Sequence, residues 1–92
     1  MKKKIGILGS TGSIGENTVN IISNNINDFD VIFLSTNKNI KKLYKQSIKL
    51  RPKAIIIFDK KKFLQFKNKF IKKKISVYNS FKELKLSIIK KK

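Results

Sequence analysis

The sequence predicts an α/β domain in which a parallel sheet of about four strands lies between layers of helices. Short apolar segments alternate with longer segments of helical periodicity, and the joints between them are only a few residues long. Joints this short favour right-handed crossovers between parallel strands, with helices on both faces of the sheet. The 92 residues have the length of one small domain.

The first half of the chain contains two strand–helix pairs. Lys4–Leu8 and Asp30–Leu34 are predicted strands, because both are short and apolar enough to be covered on both faces. Ser13–Asn25 and Asn39–Leu50 are predicted helices, and Pro52 ends the second because it displaces the preceding residue from helical geometry. The apolar residues at helical spacing are predicted to face the core: Val19, Ile22, Ile26, Ile40, Leu43, Tyr44 and Leu50.

The second half repeats this pattern. Ala54–Phe58 is the clearest strand, and Asp59 can cap the helix Lys60–Lys73 that follows it. Ile75–Tyr78 is a fourth short strand, and the capping box Ser80-Phe81-Lys82-Glu83 starts a last helix. The residues of these two helices that are predicted to face the core are Phe63, Phe66, Phe70, Ile71, Phe81, Leu84 and Ile88.

A glycine-rich loop joins the first strand to the first helix. It consists of Gly9, Ser10, Thr11, Gly12, Ser13, Ile14 and Gly15. Glycine lets the backbone turn sharply and approach a pyrophosphate closely, and the free amides at the helix start then point at the anion. Thr11 and Ser13 can add hydroxyl donors, and Ile14 is expected to bury its side chain and anchor the helix against the sheet. This pattern predicts a dinucleotide-binding site to which all seven residues contribute. The predicted fold around it is a Rossmann-like three-layer sandwich.

The spacing and the position of the glycines bear on whether this loop binds a ligand. The glycines recur every third residue, which is not the commonest dinucleotide pattern, and a ligand-free turn is the alternative interpretation. The position of the loop, directly after the first strand, favours the ligand. No Gly-Lys-Ser/Thr follows, so phosphoryl transfer from ATP is not expected.

The end of the second strand favours NADP over NAD. NAD sites usually place a carboxylate there to accept hydrogen bonds from the ribose hydroxyls, whereas residues 34–39 contain none. Lys38 supplies a cation, and Ser35, Asn37 and Asn39 supply neutral hydrogen-bonding groups that suit a 2′-phosphate. The alternative interpretation is that Lys38 is one more lysine of a lysine-rich chain and that Asn39 only caps the second helix.

The composition narrows the remaining functions. The net charge of +18 is compatible with a nucleic-acid-binding protein, but the lysines are spread over three of the four predicted helices and Arg51 is the only arginine. Only non-specific binding of nucleic acid is therefore expected. The chain has no cysteine or histidine and five scattered acidic residues, so no catalytic or metal-binding residue can be named. No segment suits an export signal or a membrane span, so a cytoplasmic protein with no membrane partner is expected.

Three segments resemble the 1-deoxy-D-xylulose 5-phosphate reductoisomerase family. The first and most specific runs from Ile7 to Gly15 and continues in Asn17-Thr18. The second, Asn37-Lys38-Asn39, matches the family's cofactor-phosphate segment, and the third is Arg51-Pro52-Lys53-Ala54. The family makes 2-C-methyl-D-erythritol 4-phosphate in the non-mevalonate pathway of isoprenoid biosynthesis, with NADPH and a divalent metal, Mg or Mn.

The resemblance implies that residues 1–92 are the N-terminal NADP-binding part of this oxidoreductase. It implies cofactor contacts at Thr11, Gly12, Ser13, Ile14, Lys38 and Asn39. Asn37 stands where the family commonly has a small residue, often glycine. Family members are several times longer, and their metal ligands and substrate-binding residues have no counterpart here. The chain alone is therefore not expected to be catalytic. The resemblance leaves open a fragment, a truncated gene product or one piece of a split enzyme; in the last case a separate chain carrying the catalytic domain is a partner beside NADPH.

Three alternatives stay open at this point. The chain is a dinucleotide-binding fragment of another reductase family, a basic nucleic-acid-binding protein with a Rossmann-like core, or a remnant that no longer folds. The last alternative predicts exposed strand edges, because the sheet is expected to be truncated before a fifth strand.

Overall fold

Strands and helices alternate strictly along the chain. The computed structural model describes residues 2–90, and Met1, Lys91 and Lys92 lie outside the described part. The strands are β1 (Lys3–Ile7), β2 (Phe29–Thr36), β3 (Ala54–Ile57) and β4 (Ser76–Tyr78). The α-helices are α1 (Ser13–Asn24), α2 (Ile40–Leu50), α3 (Lys60–Ile71) and α4 (Phe81–Lys90), and a 3-10 helix, Ile26–Asp28, precedes β2.

The four strands form one parallel sheet in the order β1-β2-β3-β4. Each crossover steps in the same direction across the sheet, so right-handed connections place α1, α2 and α3 on one face. The helix α4 follows the last strand and packs on the other face. The predicted fold class, a Rossmann-like α/β domain with a parallel sheet of about four strands and helices on both faces, is confirmed.

The main core lies between the sheet and the first three helices. Val19 and Ile22 of α1, Leu43 of α2 and Phe70 of α3 are buried against alternate residues of the strands. The ring of Phe70 meets the ring of Tyr44 edge to face, with centroids 5.5 Å apart. Burying each of these side chains stabilises the fold by roughly 1.5–3 kcal/mol, which makes this face the main source of stability.

The second face of the sheet carries a smaller core. Ala54 and Ile56 of β3 are buried there with Leu84 of α4, and Phe33 of β2 packs beside them. The pairing of β1 with β2 shifts between Ile5 and Gly6, so that Gly6 lies opposite Phe33. A Cβ atom on Gly6 would lie 2.0 Å from the Phe33 ring, so the glycine leaves the space that this ring occupies. One helix covers this face, whereas three cover the other.

Several predicted details were wrong. The strand β2 begins one residue earlier and ends two residues later than predicted, so Ser35 and Thr36 are buried sheet residues. Ile71 is 51% exposed, because the neighbouring Phe70 takes the core-facing position of α3. Phe81 and Ile88 are nearly half exposed, because α4 covers only part of the second face. The other boundaries agree within two residues.

Candidate functional site

The first helix begins without a side-chain cap. Its N-cap residue is Gly12, and the first intrahelical hydrogen bond runs from the Glu16 N–H to the Gly12 carbonyl at 2.7 Å. Among the described residues, the N–H groups of Ser13, Ile14 and Gly15 donate to no protein acceptor. Three converging donors at the positive end of a helix dipole form a binding site for an anion.

The other three helices are capped by their own side chains. Asn39 caps α2, Asp59 caps α3 and Ser80 caps α4, each by accepting a hydrogen bond from a backbone N–H of the first turn, at 3.2, 3.0 and 3.2 Å. Glu83 accepts from the Asn79 N–H at 2.8 Å, so the predicted capping box forms with its carboxylate one residue further back than expected. The start of α1 is therefore distinct from those of the other three α-helices.

The three glycines of the loop have different physical roles. Gly9 has φ +65°, which disfavours any residue with a side chain. A Cβ atom on the buried Gly15 would lie 2.1 Å from the Gly9 carbonyl oxygen. Gly12 has an extended backbone, and a Cβ atom there would make only an ordinary contact at 3.5 Å. Among the described residues, no contact requires glycine at position 12. The lack of a side chain there leaves open the space in front of the three free amides.

The loop is held against the end of β2 by Ser35. The Ser35 carbonyl accepts from both the N–H and the hydroxyl of Ser10, at 2.9 and 3.1 Å. The Ser35 hydroxyl in turn accepts from the Gly9 N–H at 2.7 Å. Ser35 was predicted to offer a group to a 2′-phosphate, but it is fully buried because β2 is longer than predicted. It positions the loop instead.

A second link joins the loop to the segment after β2. The hydroxyls of Thr11 and Thr36 are 2.7 Å apart, and the Thr36 hydroxyl also accepts from the Asn39 N–H at 3.2 Å. The Thr11 hydroxyl, expected to serve a ligand, is thus already engaged in a protein hydrogen bond. Ser13 is exposed to solvent.

Residues 37–39 present their side chains to solvent. Besides the bond from the Asn39 N–H to the Thr36 hydroxyl, the three carbonyls of this segment each accept a backbone hydrogen bond. The Asn37 carbonyl accepts from the Asp59 N–H at 3.1 Å, that of Lys38 from the Ile40 N–H at 2.9 Å, and that of Asn39 from the Leu43 N–H at 3.1 Å. Lys38 is exposed at the carboxyl end of β2, on the same edge of the sheet as the glycine-rich loop. Asn39 caps α2, as the alternative interpretation of that residue predicted.

An open groove of about 530 Å³ runs along the loop, lined by residues 7–9, 12–15 and 18. Ile14 was predicted to be buried, but 84% of it is exposed, and Leu8 beside it is 61% exposed. The reason is the helical phase of α1, in which Gly15 and Val19 face the sheet and Ile14 does not. An apolar wall beside three amide donors suits a ligand with both an anionic and an apolar part.

The described residues offer no set of metal ligands. No group of three His, Cys, Asp or Glu side chains lies close enough together within residues 2–90 to hold an ion. The divalent metal that the resemblance implies therefore has no fitting site in this part of the chain. None of the helices described is both long and apolar enough to cross a bilayer.

The sequence of residues 5–90 matches the protein family described as 1-deoxy-D-xylulose 5-phosphate reductoisomerase. The chain belongs to this family. The enzyme of this name from Wigglesworthia glossinidia brevipalpis is 51% identical over 73 residues, which are 78% of this chain and 18% of the relative. The one from Pelagibacter ubique is 40% identical over 82 residues, 89% of this chain and 21% of the relative.

Two solved reductoisomerase structures share the fold. The enzyme from Zymomonas mobilis in complex with NADPH superposes with a TM-score of 0.80 at 27% identity, over 85% of this chain and 21% of that one. A second, in complex with magnesium, has a TM-score of 0.73 at 24% identity and supports the fold alone. The chain spans about a fifth of the length of these relatives. Neither another reductase family nor a nucleic-acid-binding protein is favoured by these matches.

The structure adds three residues that the sequence analysis did not assign to the support of the site. Ser35 and Thr36 hold the loop from β2, and Gln46 of α2 holds it from the helix layer by donating to the Ser10 carbonyl at 2.8 Å. A polar residue within the apolar stripe of α2 was the one available signal for Gln46. Ser35 and Thr36 gave none, because small hydroxyl residues after a strand are typical of any turn.

Proposed function

We propose that residues 1–92 form the NADPH-binding part of a 1-deoxy-D-xylulose 5-phosphate reductoisomerase. The single observation that carries this proposal is the uncapped start of α1, whose three free amides face an open groove in a chain of this family. The similar Zymomonas mobilis structure is in complex with NADPH, which supports the choice of ligand.

In this proposal the pyrophosphate lies at the glycine-rich loop. Its charge is matched by the free amides of Ser13, Ile14 and Gly15 and by the dipole of α1. The exposed side chain of Ile14 packs against an apolar part of the ligand. The proposed contacts at this loop are Gly9, Thr11, Gly12, Ser13, Ile14 and Gly15. Ser10, also predicted as a contact, is fully buried and bonded to Ser35 and Gln46, so its proposed role is to support the loop.

The 2′-phosphate is proposed to lie at residues 37–39. Lys38 supplies the cation there, and the exposed amides of Asn37 and Asn39 supply further polar groups. Asn39 keeps its amide nitrogen for a ligand, because its use in capping α2 involves only Oδ1. When bound, NADPH supplies the hydride for reduction, and these residues bind and orient it.

The activity proposed for the complete enzyme is the NADPH-dependent rearrangement and reduction of 1-deoxy-D-xylulose 5-phosphate to 2-C-methyl-D-erythritol 4-phosphate. Within residues 2–90 no group of three His, Cys, Asp or Glu side chains could hold a metal ion, and cofactor binding is the role that we propose for them. The divalent metal belongs in this proposal to the part of the relatives that lies outside the matched fifth. A cytoplasmic location stays a prediction.

The catalytic part, in the same polypeptide or in a separate chain, is proposed to pack against β1 and the second face of the sheet. In the described sheet β1 pairs only with β2, so its other edge offers unpaired backbone groups. The second face leaves an apolar groove of about 540 Å³, lined by Ile32, Phe33, Phe81, Leu84 and Ile88 with two lysines.

The direct test of cofactor binding is titration of the purified 92-residue chain with NADPH and then NADH, by isothermal calorimetry at moderate salt. Saturable NADPH binding that is tighter than NADH binding is the expected result. A chain that is folded by circular dichroism and binds neither nucleotide would contradict the proposal. Tighter binding of DNA than of NADPH, with a steep salt dependence, would instead support the basic surface as the working part.

The catalytic part can be tested by complementation. The chain is mixed with the remaining four-fifths of the Wigglesworthia glossinidia relative, expressed separately, and NADPH oxidation is followed with 1-deoxy-D-xylulose 5-phosphate as substrate. The mixture is expected to be active and each component inactive. If the two parts form a complex without activity, docking is supported and the catalytic proposal is not.

A further inference from the structure

A glutamine lies within the apolar stripe of α2. Gln46 is on the face of this helix that packs toward the sheet, with Leu43 and Leu50 one turn away on either side. Only 6% of Gln46 is exposed, whereas glutamine is normally a surface residue. An apolar side chain of the same length would pack there without burying two polar atoms.

The amide of Gln46 has one partner in the described structure. Its Nε2 donates to the Ser10 carbonyl oxygen at 2.8 Å, and its Oε1 is buried without a hydrogen-bond partner among residues 2–90. The orientation of the amide follows from this contact, because the opposite one would place two acceptors against each other. The fold thus tolerates one unsatisfied acceptor in order to keep this donor.

The Ser10 carbonyl determines the direction of the next amide. In a trans peptide the carbonyl and the following N–H point in opposite directions. The Gln46 donor draws the Ser10 carbonyl toward α2, so the Thr11 N–H points away from the helix layer. Among the described residues, this N–H donates to no protein acceptor.

Ser10 is held on its other side as well. Its N–H and its hydroxyl both donate to the Ser35 carbonyl, at 2.9 and 3.1 Å, and the whole residue is buried. Ser35 therefore positions the peptide before Ser10, and Gln46 positions the peptide after it. Without Gln46 the carbonyl loses its donor, and the peptide can rotate so that its negative end faces the phosphate site.

We propose that Gln46 is a positioning residue for cofactor binding, which orients the Ser10–Thr11 peptide so that the Thr11 N–H joins the free amides of α1 on the pyrophosphate. The inference rests on the proposed function, since it assigns a role within that site. Gln46 would thus be a residue of α2, outside the glycine-rich loop, that contributes to the affinity for NADPH.

The test uses Gln46→Met in the full chain, because methionine keeps the length of the side chain and removes the donor. The melting temperature is expected to change little, because the unsatisfied Oε1 is removed while the Ser10 carbonyl loses its donor, and the affinity for NADPH is expected to fall about tenfold. Ser47→Ala is the matched control, because the Ser47 hydroxyl is equally buried but bonds only the Tyr44 carbonyl within α2, at 2.7 Å. The control is expected to leave NADPH affinity within twofold of the unsubstituted chain.

A readout without ligand separates this inference from the proposed function. In amide NMR spectra of the free chain, Gln46→Met is expected to shift the resonances of Thr11 and Gly12, and Ser47→Ala is expected to leave them in place. If the unsubstituted chain binds no NADPH, the function fails, and these spectra still decide whether Gln46 orients the loop. Unshifted loop resonances, or wild-type affinity in folded Gln46→Met, would overturn the inference.

Discussion

The starts of α1 and α3 differ in the group that satisfies their backbone amides. Asp59 caps α3 with its own carboxylate, 3.0 Å from the Lys62 N–H. Gly12 occupies the equivalent position of α1 and has no side chain to offer. Both helices are 12 residues long and both follow a strand of the same sheet, so length and topology do not account for the difference.

All four α-helices begin at the carboxyl ends of the strands, but their first amides are satisfied in two different ways. A helix start that carries its own acceptor is satisfied within the protein, whereas one that lacks an acceptor leaves its N–H groups to water or to a ligand. Asn39 and Ser80 repeat the structural form at α2 and α4. The described part of the chain therefore has capping residues at the starts of three α-helices and glycine at the start of the fourth.

The largest effect is expected from giving α1 a cap of the α3 type. In Gly12→Asp the carboxylate can accept from the free amides of α1 and adds a negative charge where the pyrophosphate is proposed to lie. Two like charges about 4 Å apart repel by roughly 4 kcal/mol near a protein surface, so we expect NADPH affinity to fall at least about 100-fold. The measurement is the calorimetric titration with NADPH.

The stability of the same variant should move in the opposite direction. An N-cap aspartate interacts favourably with the helix dipole, by about 0.3–1 kcal/mol, so the melting temperature should hold or rise by a few degrees. Gly12→Asn is the control, since it caps the helix without the charge and is expected to weaken binding less. A Gly12→Asp chain that unfolds, or that binds NADPH normally, would contradict the assignment of this helix start.

The second largest effect is expected at Gly15, which is buried where α1 packs against the Gly9 carbonyl. In Gly15→Ala the new methyl group would lie 2.1 Å from the Gly9 carbonyl oxygen, so the backbone must move. We expect a loss of about 1–3 kcal/mol in the free energy of unfolding, as for other overpacked sites, together with weaker NADPH binding. Urea unfolding followed by circular dichroism measures the first quantity.

Gly12→Ala is the matched control for Gly15→Ala. Its methyl group makes only an ordinary contact at 3.5 Å, so the free energy of unfolding should change by less than about 1 kcal/mol. Equal losses of stability in the two variants would show that the loop glycines are interchangeable, against the distinct roles argued above.

The sequence predicts the fold of this chain because its signals are local and agree with one another. The alternation of apolar runs with helical periodicity, the proline after α2 and the Asp59 cap all correspond to observed elements. The division of three helices on one face and one on the other was not predicted. It follows from the strand order, which depends on pairing between distant segments and leaves no local pattern.

The site was predictable only in its backbone part. The glycines at the strand–helix junction identify the loop in the sequence, because the turn and the close backbone approach that require glycine are local features. The side-chain part was less accurate, since Ile14 was expected to be buried and is exposed, and Ser35 was expected at a ligand and is buried. Both errors come from small shifts of phase or boundary, to which side-chain direction is far more sensitive than backbone path.

A moderate effect is expected at Lys38, which lies outside the start of α1 and is proposed to determine the choice of NADPH over NADH. In Lys38→Glu we expect NADPH affinity to fall about tenfold with NADH affinity nearly unchanged, because only NADPH carries the 2′-phosphate. Lys45→Glu, an exposed site on α2, makes the same change in net charge and is the control. Equal losses for both variants would mean that the overall charge of the chain, and not Lys38, attracts the cofactor.

The smallest effect on binding is expected from removing the Asp59 cap of α3. Asp59→Ala should cost about 1 kcal/mol of the free energy of unfolding, and Asp59→Asn should retain most of it because asparagine also caps well. The Asp59 N–H that supports the Asn37 carbonyl at 3.1 Å belongs to the backbone and survives both substitutions. NADPH affinity should therefore stay within about twofold while the urea midpoint falls. If affinity fell in proportion to stability, the capped start of α3 would be part of the cofactor site, and the distinction between the two helix starts would be lost.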